Sequence, residues 1–285
     1  MTDLGIHPEP RREARQAPQT YNGALAPKQR FDPNLDISVV MPCLNEEAAI
    51  EKCVQTALAS IAATGMTGEV VVVDNDSSDD SAGLAIAAGA RVVREPVRGY
   101  GRAYLTGLAE ARGRFIVLAD SDGTYDFTAV GRFVEPLTNG TDLVVGTRLR
   151  GSIDDGAMPW LHRYVGNPLL TRAMNLLHST RFSDVYCGMR SIKREALSQL
   201  NLAAPGMEFA LEMLIEAERS GIRIGEIPIR YRRRLGGTPK LRTWRDGWRS
   251  LRFVVSQTRP IAVKPLMASS STIAAVTPAP SESSP

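Results

Sequence analysis

The chain has 285 residues, 43% of them hydrophobic, which allows one large or two small globular domains. No apolar run approaches the roughly 18 residues of a membrane-spanning helix, and the N-terminus lacks the apolar core of a signal peptide. Three cysteines and three histidines without metal-ligand spacing argue against a disulfide framework, a zinc site or a histidine-based metal site. We therefore expect a cytoplasmic protein.

The net charge of +3 conceals a local concentration of basic residues. Ten lysines or arginines lie in one stretch, and they are Arg223, Arg230, Arg232, Arg233, Arg234, Lys240, Arg242, Arg245, Arg249 and Arg252. This distribution predicts one local basic surface, and we expect no nucleic-acid partner.

Apolar runs alternate with helical patterns through the first half of the chain. In chain order the predicted elements are a strand at 37–41, a helix at 46–62, a strand at 70–73, a helix at 78–88, a strand at 91–94, a helix at 101–111, a strand at 115–119, a helix at 129–137 and a strand at 142–146. This alternation is typical of an α/β domain in which a mostly parallel central sheet carries helices on both faces.

Beyond residue 150 the pattern is looser. It predicts a helix at 167–177, a strand at 188–192, a helix at 207–220 and a strand at 222–229. Residues 1–33 and 259–285 are rich in Pro, Ala and other residues without periodicity, so both are predicted to be disordered tails. The chain is thus interpreted as a single domain at 34–258, with a first half at 34–150 and a second half at 151–258.

The apolar run at 115–119 stops at two acids separated by one residue. In an extended segment alternate side chains share a face, so Asp120 and Asp122 can point at one ion while Ser121 points away. Such a pair at the carboxyl end of a strand suits Mg²⁺ or Mn²⁺, which take oxygen ligands and complete their coordination with water and phosphate. The alternative is a polar turn, since Asp, Ser and Gly are common turn residues.

Two further predicted strands end in acids on the same edge of the sheet. Residues 42–47 read Pro-Cys-Leu-Asn-Glu-Glu, and residues 74–80 read Asp-Asn-Asp-Ser-Ser-Asp-Asp. Taken singly, each segment could cap a helix through Asn45 or Ser77, with acids favoured in the first turn. Three such ends on one edge favour a site for an ion or a hydroxyl-rich ligand, because clustered carboxylates repel one another.

These segments resemble the family 2 glycosyltransferases with the GT-A nucleotide-sugar fold. The resemblance rests on the order and spacing of the segments 42–47, 72–79, 99–107 and 120–122. Three later segments are similar to the polyprenyl-phosphate sugar synthases, a subgroup that includes dolichol-phosphate mannose synthase. They are 144–148, 184–190 with Cys187 where Ser is usual, and 237–242 with Pro239 where Ser is usual. The resemblance covers about residues 36–256.

The resemblance implies a nucleotide-sugar site in the first half, at 34–150. Its residues would be Pro42, Leu44, Glu46, Asp74, Asp76 and Asp120. Within this set Glu46 and Asp74 would bind the base and ribose, and Asp76 would help them. Asp120 and Asp122 would carry the Mg²⁺ or Mn²⁺ that bridges the diphosphate, which places Asp122 among the catalytic residues.

The second half, at 151–258, would supply the acceptor side. A phosphate acceptor is already anionic and needs cationic ligands rather than a strong base. Candidate arginines are Arg148, Arg163, Arg190, Arg230, Arg232, Arg233 and Arg234. Of these, Arg148, Arg232 and Arg234 are assigned to the acceptor phosphate together with Lys240, and Arg148 and Lys240 also to catalysis. The alternative is a solvated basic face. A hydroxyl acceptor would instead need a carboxylate base, for which Asp184 or Glu208 is a candidate.

Apolar residues recur every three or four positions from 241 to 256. They are Leu241, Trp244, Trp248, Leu251 and Val255, and arginines fall largely between them. This pattern predicts an amphipathic helix that can lie in a lipid interface, which gives peripheral contact with the inner face of the membrane. A helix that only packs its apolar stripe on the domain explains the same pattern.

The leading hypothesis is a metal-dependent inverting glycosyltransferase. An acceptor oxygen would attack the anomeric carbon as the nucleoside diphosphate leaves, with polyprenyl phosphate as the favoured acceptor. The first alternative is a soluble glycosyltransferase acting on a small hydroxyl compound in a biosynthetic pathway. A sugar nucleotidyltransferase would open with a glycine-rich basic loop where this chain has 42–46. A non-catalytic nucleotide-binding scaffold is the remaining class.

Overall fold

The computed structural model describes residues 31–236 and 243–258, with the backbone alone at 243–246. The proposed tails therefore fall almost wholly outside the described residues, as does Lys240. The domain limits at 34 and 258 stay a prediction.

The centre of the molecule is a seven-stranded sheet. Its strands are β1 Ile37–Cys43, β2 Gly68–Asp74, β3 Arg91–Arg94, β4 Phe115–Leu118, β5 Leu143–Ile153, β6 Arg190–Lys193 and β7 Ile224–Tyr231. They lie in the order β3-β2-β1-β4-β6-β5-β7. All neighbouring pairs are parallel except those of β6, which runs antiparallel to both β4 and β5. The predicted mostly parallel sheet is confirmed.

Helices cover both faces of this sheet. They are α1 Ile50–Ala63, α2 Ser81–Ala87, α3 Tyr100–Glu110, α4 Val130–Thr138, α5 Asn167–His178, α6 Arg194–Leu197, α7 Phe209–Arg219 and α8 Thr243–Ser256. Alternation along β1 sends Val40 into the core beneath α3, α5 and α7, while Val39 and Met41 join the core beneath α1 and α4. The predicted α/β fold with helices on both faces is therefore confirmed.

The two largest differences between predicted and observed boundaries have local reasons. The helix predicted to begin at residue 46 begins at Ile50, because Ala49 before it has a non-helical backbone (φ −125°, ψ −30°). The strand predicted at 142–146 continues to Ile153, because its outer part pairs with β7 after an irregularity between Thr147 and Ser152.

Helix α3 approaches the sheet and a neighbouring loop closely through glycines. A Cβ added at Gly107 would lie 2.3 Å from Val40 Cγ1, and one at Gly101 would lie 2.0 Å from the carbonyl oxygen of Ala204. The contact at Gly101 holds the N-terminal end of α3 against the loop at Ala204, and the contact at Gly107 holds the helix against β1. Within the described residues no helix is long and apolar enough to span a bilayer.

Candidate active site

The three acidic strand ends meet at the carboxyl edge of the sheet, as the sequence predicts. Cys43 at the end of β1 pairs with Asp74 at the end of β2. On the other side of β1, the hydroxyl of Ser121 donates a 2.7 Å hydrogen bond to the carbonyl oxygen of Pro42. Asp120 and Asp122 come shortly after β4, and Glu46 comes shortly after the neighbouring strand β1. The three acids therefore lie at the same edge of the sheet.

The loops after β1 and β2 are tied to each other by hydrogen bonds. The amide of Ser78 donates to Oδ1 of Asn45 (2.8 Å), and the amide of Asn45 donates to Oγ of Ser77 (3.1 Å). The amide of Glu46 donates to Oγ of Ser81 (2.8 Å). Neither Asn45 nor Ser77 is the N-cap of a helix, since α1 and α2 are preceded by Ala49 and Asp80. These polar residues hold two loops together, so the capping interpretation is wrong.

The two acids after β4 are each held by a neighbouring hydroxyl. Tyr104 on α3 donates from its phenol to Oδ1 of Asp120 (2.9 Å). Thr124 donates to Oδ1 of Asp122 through its hydroxyl (2.6 Å) and its amide (2.9 Å). Burial and the nearby carboxylate of Asp122 raise the pKa of Asp120 above its usual range. Neighbouring buried carboxylates repel each other, and a cation between them would relieve this repulsion.

A cation of the protein itself reaches this edge. The guanidinium of Arg234 binds Oε1 of Glu46 through Nη1 (2.9 Å) and Oδ2 of Asp122 through Nη2 (2.7 Å). The side chains of Glu46 and Asp122 are 6% and 7% exposed, so both ion pairs are shielded from water.

Backbone pairing fixes Arg234 in this position. The amide of Leu235 donates to the carbonyl oxygen of Asp122 (3.1 Å), and that of Arg232 to the carbonyl oxygen of Thr124 (2.8 Å). These bonds continue the antiparallel bridge between Tyr125 and Tyr231. The segment after β7 thus lies along the loop that carries the acid pair.

The donor set at this edge suits a hard divalent cation. The described residues contain no group of three or more His, Cys, Asp or Glu side chains placed to hold a metal ion. A metal held by Asp120 and Asp122 would therefore keep most of its coordination positions for water and phosphate oxygens, as Mg²⁺ commonly does. The seating of a guanidinium between Glu46 and Asp122 indicates that a positive charge is accommodated here.

Arg148, near the end of the first half, and Asp184, in the second half, form a buried ion pair. Nε and Nη2 of Arg148 bind the two carboxylate oxygens of Asp184 at 2.7 and 2.8 Å, and the amide of Arg148 binds it at 3.1 Å. Burial opposes charge on Asp184, but the charge and hydrogen bonds of Arg148 outweigh it and lower the pKa of the carboxyl. The guanidinium also lies 5.3 Å from the ring centre of Tyr231.

The remaining candidate residues each contact a partner other than Asp120 or Asp122. Asp76 pairs with Arg98 at the surface (3.0 Å), and Glu208 pairs with Arg249 of α8 (2.5 Å). Arg232 pairs with Asp126. Other candidate arginines have local partners: Arg230 binds Asp154, Arg233 binds the carbonyl oxygen of Asp155, Arg163 lies over Tyr164, and Arg190 is buried against the carbonyl oxygens of Val185, Cys187 and Ala210.

Three residues near Asp120 were not found by sequence reasoning. Tyr104 binds Asp120, and the amide of Gly188 donates to the phenol oxygen of Tyr125 (2.7 Å). A Cβ at Gly188 would lie 3.1 Å from Oδ2 of Asp120 and 3.0 Å from that phenol. The available signal was the position of Tyr104 one helical turn after Tyr100, which places both rings on one face of α3.

The family model for glycosyl transferase family 2 matches residues 38–200, which include all three acidic strand ends. The chain belongs to glycosyl transferase family 2. It is therefore assigned to the glycosyltransferases by its family, and this assignment argues against the nucleotidyltransferase interpretation.

Curated relatives support this family assignment. The chain is 40% identical over 220 residues to the low-salt glycan biosynthesis hexosyltransferase Agl6 of Haloferax volcanii, and the alignment covers 77% of this chain and 53% of Agl6. The chain thus spans about half the length of that relative. It is 34% identical to an uncharacterized glycosyltransferase of Mycobacterium tuberculosis, over 72% of this chain and 89% of the relative. It is 33% identical to the dolichyl-phosphate hexose transferase of Haloferax volcanii, over 71% and 86%.

Solved structures share the GT-A fold of this glycosyltransferase. Glucosyl-3-phosphoglycerate synthase from Mycobacterium tuberculosis in complex with phosphoglyceric acid is 29% identical with a TM-score of 0.64, covering 79% of this chain and 80% of the other. The same enzyme with Mn²⁺, UDP and glucosyl-3-phosphoglycerate is 29% identical with a TM-score of 0.58, covering 78% of each chain.

Proposed function

We propose that the glycosyltransferase moves a sugar from a nucleoside-diphosphate sugar to polyprenyl phosphate, with a divalent metal and with inversion at the anomeric carbon. The observation that carries the proposal is the pair Asp120 and Asp122, held by hydroxyls at the carboxyl edge beside Glu46. Ligands of open α/β sheets bind at this edge. The mycobacterial synthase with Mn²⁺ and UDP supports a metal and a nucleotide in the same fold.

On the donor side, the loops after β1 and β2 would hold the nucleoside. The residues assigned to the nucleotide sugar are Pro42, Leu44, Glu46, Asp74, Asp76 and Asp120. Asp120 and Asp122 would bind Mg²⁺ or Mn²⁺, which when bound neutralises charge on the diphosphate leaving group. Arg234 would give up Asp122 and turn its guanidinium toward phosphate oxygens, for which its planar fork is suited.

On the acceptor side, a phosphate monoester supplies its own anionic nucleophile. Arg232, Arg234 and Lys240 would bind it, and Arg148 would offer the guanidinium nitrogen that Asp184 does not engage. The role proposed for Asp184 is to hold Arg148 in place. To act as a general base, Asp184 would first have to break its hydrogen bonds to Arg148. A phosphate acceptor needs no general base, so it is more compatible with this intact ion pair.

The relatives support two acceptor classes. The dolichyl-phosphate hexose transferase of Haloferax volcanii favours a polyprenyl phosphate. Glucosyl-3-phosphoglycerate synthase, crystallised with phosphoglyceric acid, favours a small phosphorylated hydroxyl compound as the second candidate. For that acceptor Glu208 remains a candidate base, and its carboxylate is paired with Arg249, whose side chain is 54% exposed. In either case we propose a cytoplasmic enzyme, working at the inner face of the membrane if the acceptor is a lipid.

Calorimetric titration of nucleoside diphosphates with Mn²⁺ tests the donor site. Asp120→Asn and Asp122→Asn are each expected to weaken metal-dependent nucleotide binding at least about tenfold, because each removes one charged oxygen ligand. Asp80→Asn is the matched control, an exposed acid on the same edge. Equal binding by all three variants and the unaltered protein would remove the metal role from the acid pair.

A further inference from the structure

Residues 160–177 expose an apolar stripe although α5 packs its other side on the core. Leu161, Val165, Leu169, Arg172 and Leu176 are spaced three or four residues apart and lie on the outer side. The side chains of Leu169 and Leu176 are 62% and 82% exposed. Large exposed side chains in this segment also include Trp160, Tyr164 and Leu177. Apolar exposure on this scale marks an interaction surface rather than ordinary surface variation.

Helix α8 extends the same surface. It lies against the C-terminal end of α5, where Nε2 of His178 is 3.1 Å from the carbonyl oxygen of Val254. Val254 is buried, whereas Trp248 and Val255 are 65% and 51% exposed. We call this combined surface, formed by 160–177 and the outer side of 247–258, the apolar face.

The two segments that form the apolar face carry only basic charges, one of which, Arg249, is paired with Glu208 beside them. Residues 157–183 contain no Asp or Glu, and neither do residues 247–258. The basic residues of these two segments are His162, Arg163, Arg172, His178, Arg181, Arg249 and Arg252. Two copies of this face would bring like charges together, whereas anionic phospholipid headgroups would be attracted to it.

We propose that the apolar face docks on an anionic lipid bilayer, with leucines and tryptophans in the interface and arginines at the headgroups. Tryptophan and tyrosine are the side chains that settle at headgroup depth, and Arg can extend its charge to the phosphates. The surface thus involves the segment 160–177, whose apolar stripe faces outward, in addition to α8.

The apolar face adjoins the proposed acceptor site. The amide of Val185, the residue after Asp184, donates to the hydroxyl of Thr171 on α5 (3.5 Å), so the face lies near the ion pair of Arg148 and Asp184. Burial and the charge of Arg148 also lower the pKa of His162. A lipid lying in the interface would thereby present its phosphate toward Arg148. Docking itself is independent of the proposed reaction, since it requires neither nucleotide nor metal.

Vesicle sedimentation of the full chain tests the docking. The protein is mixed with phosphatidylcholine vesicles with and without phosphatidylglycerol, and the bound fraction and tryptophan emission are measured. The protein is expected to bind the anionic vesicles. The double variant Leu169→Gln with Leu176→Gln should lower its partition coefficient about tenfold or more, because two apolar side chains no longer enter the interface.

Ile86→Gln is the matched control, since Ile86 on α2 is 61% exposed but lies near the opposite edge of the sheet. It should bind vesicles as the unaltered protein does, and thermal melts should show that all variants fold. The proposal is overturned if the unaltered protein binds neither vesicle, or if the double variant binds equally well. A dimer in ultracentrifugation that the double variant abolishes would also overturn it. Vesicle binding without sugar transfer would refute the proposed reaction alone.

Discussion

Arg234 joins the two acids that the proposed nucleotide and metal would use. Its guanidinium binds Glu46 and Asp122 at 2.9 and 2.7 Å, and it is held by backbone pairing to the loop after β4. In the proposed reaction, a metal that takes Oδ2 of Asp122 would displace this guanidinium. Its release would then make a cation available for phosphate.

Arg234→Gln is predicted to raise the affinity for Mn²⁺ measured without nucleotide. Removing the competing cation should tighten binding by a few-fold to about tenfold, the size of a partly shielded charge interaction. Sugar transfer should fall in the same variant, because a phosphate ligand is lost. Paramagnetic titration of Mn²⁺ measures the first effect, with Arg223→Gln as control because Arg223 pairs with Asp142 elsewhere. Unchanged or weaker Mn²⁺ binding would contradict the account.

Asp184→Asn is predicted to destabilise the protein by about 3–5 kcal/mol, because it leaves the buried charge of Arg148 without its partner. The folded-state pKa of Asp184 is lowered below 3.8. The contribution of Asp184 to the unfolding free energy is therefore complete at pH values above its unfolded-state pKa. It is lost as the pH falls through its folded-state pKa.

Urea unfolding of the variant and the unaltered protein checks this. The difference in unfolding free energy should be constant near neutral pH and shrink only below about pH 4. A difference that shrinks between pH 5 and 7, or a difference under about 1 kcal/mol, would be inconsistent with a charged buried pair.

At this scale the sequence predicts the acids but not what holds them. Asp120 and Asp122 are recognisable because their spacing and strand context are local. Tyr104 donates to Asp120 from another element, and Arg234 reaches Glu46 across 188 positions of sequence. Such contacts depend on the tertiary fold, so no local sequence pattern predicts them.

Among the elements, α3 is the one placed most tightly against the site. Gly101 and Gly107 allow it to approach the loop at Ala204 and the strand β1, and this position brings Tyr104 to Asp120. A side chain at either glycine would push the helix outward. The sequence places both glycines in the helix predicted at 101–111, but the close packing that they allow is seen only in the structure.

Gly101→Ala is predicted to lower the unfolding free energy by about 1–3 kcal/mol, because its Cβ would meet backbone oxygens of Ala204 and Gly206. The gain in helix propensity, up to about 1 kcal/mol, is smaller. Gly247→Ala on α8 is the control: among the described residues no atom lies within 4 Å of the added Cβ, so the unfolding free energy should stay the same or rise. Urea unfolding measures both, and equal behaviour of the two would disprove the close approach.

The antiparallel direction of β6 could not be predicted from local sequence pattern. The apolar run near 188–192 predicts a strand, and the structure has Arg190–Lys193. Its antiparallel placement between β4 and β5 follows from the connections around it rather than from its composition. The helix at 243–256 was predicted from its apolar spacing, since a helical period is local.

For the whole molecule, the parallel strands bring β1, β2 and β4 to one edge and thereby assemble the acidic site from three distant segments. This consequence could be predicted, because alternating strands and helices leave few topologies. The apolar face could be predicted only at α8. The stripe at 160–177 reads as a core stripe until the structure shows that it faces outward.

The central claim is metal-dependent sugar transfer to a polyprenyl phosphate. The most direct measurement incubates the protein with a panel of sugar nucleotides and Mn²⁺, offers short-chain polyprenyl phosphate or 3-phosphoglycerate, and identifies the product and its anomeric configuration. We predict an inverted product on polyprenyl phosphate that disappears with a chelator and in Asp122→Asn, but not in Asp80→Asn. A product formed only on 3-phosphoglycerate, or undiminished turnover by Asp122→Asn, would contradict the account.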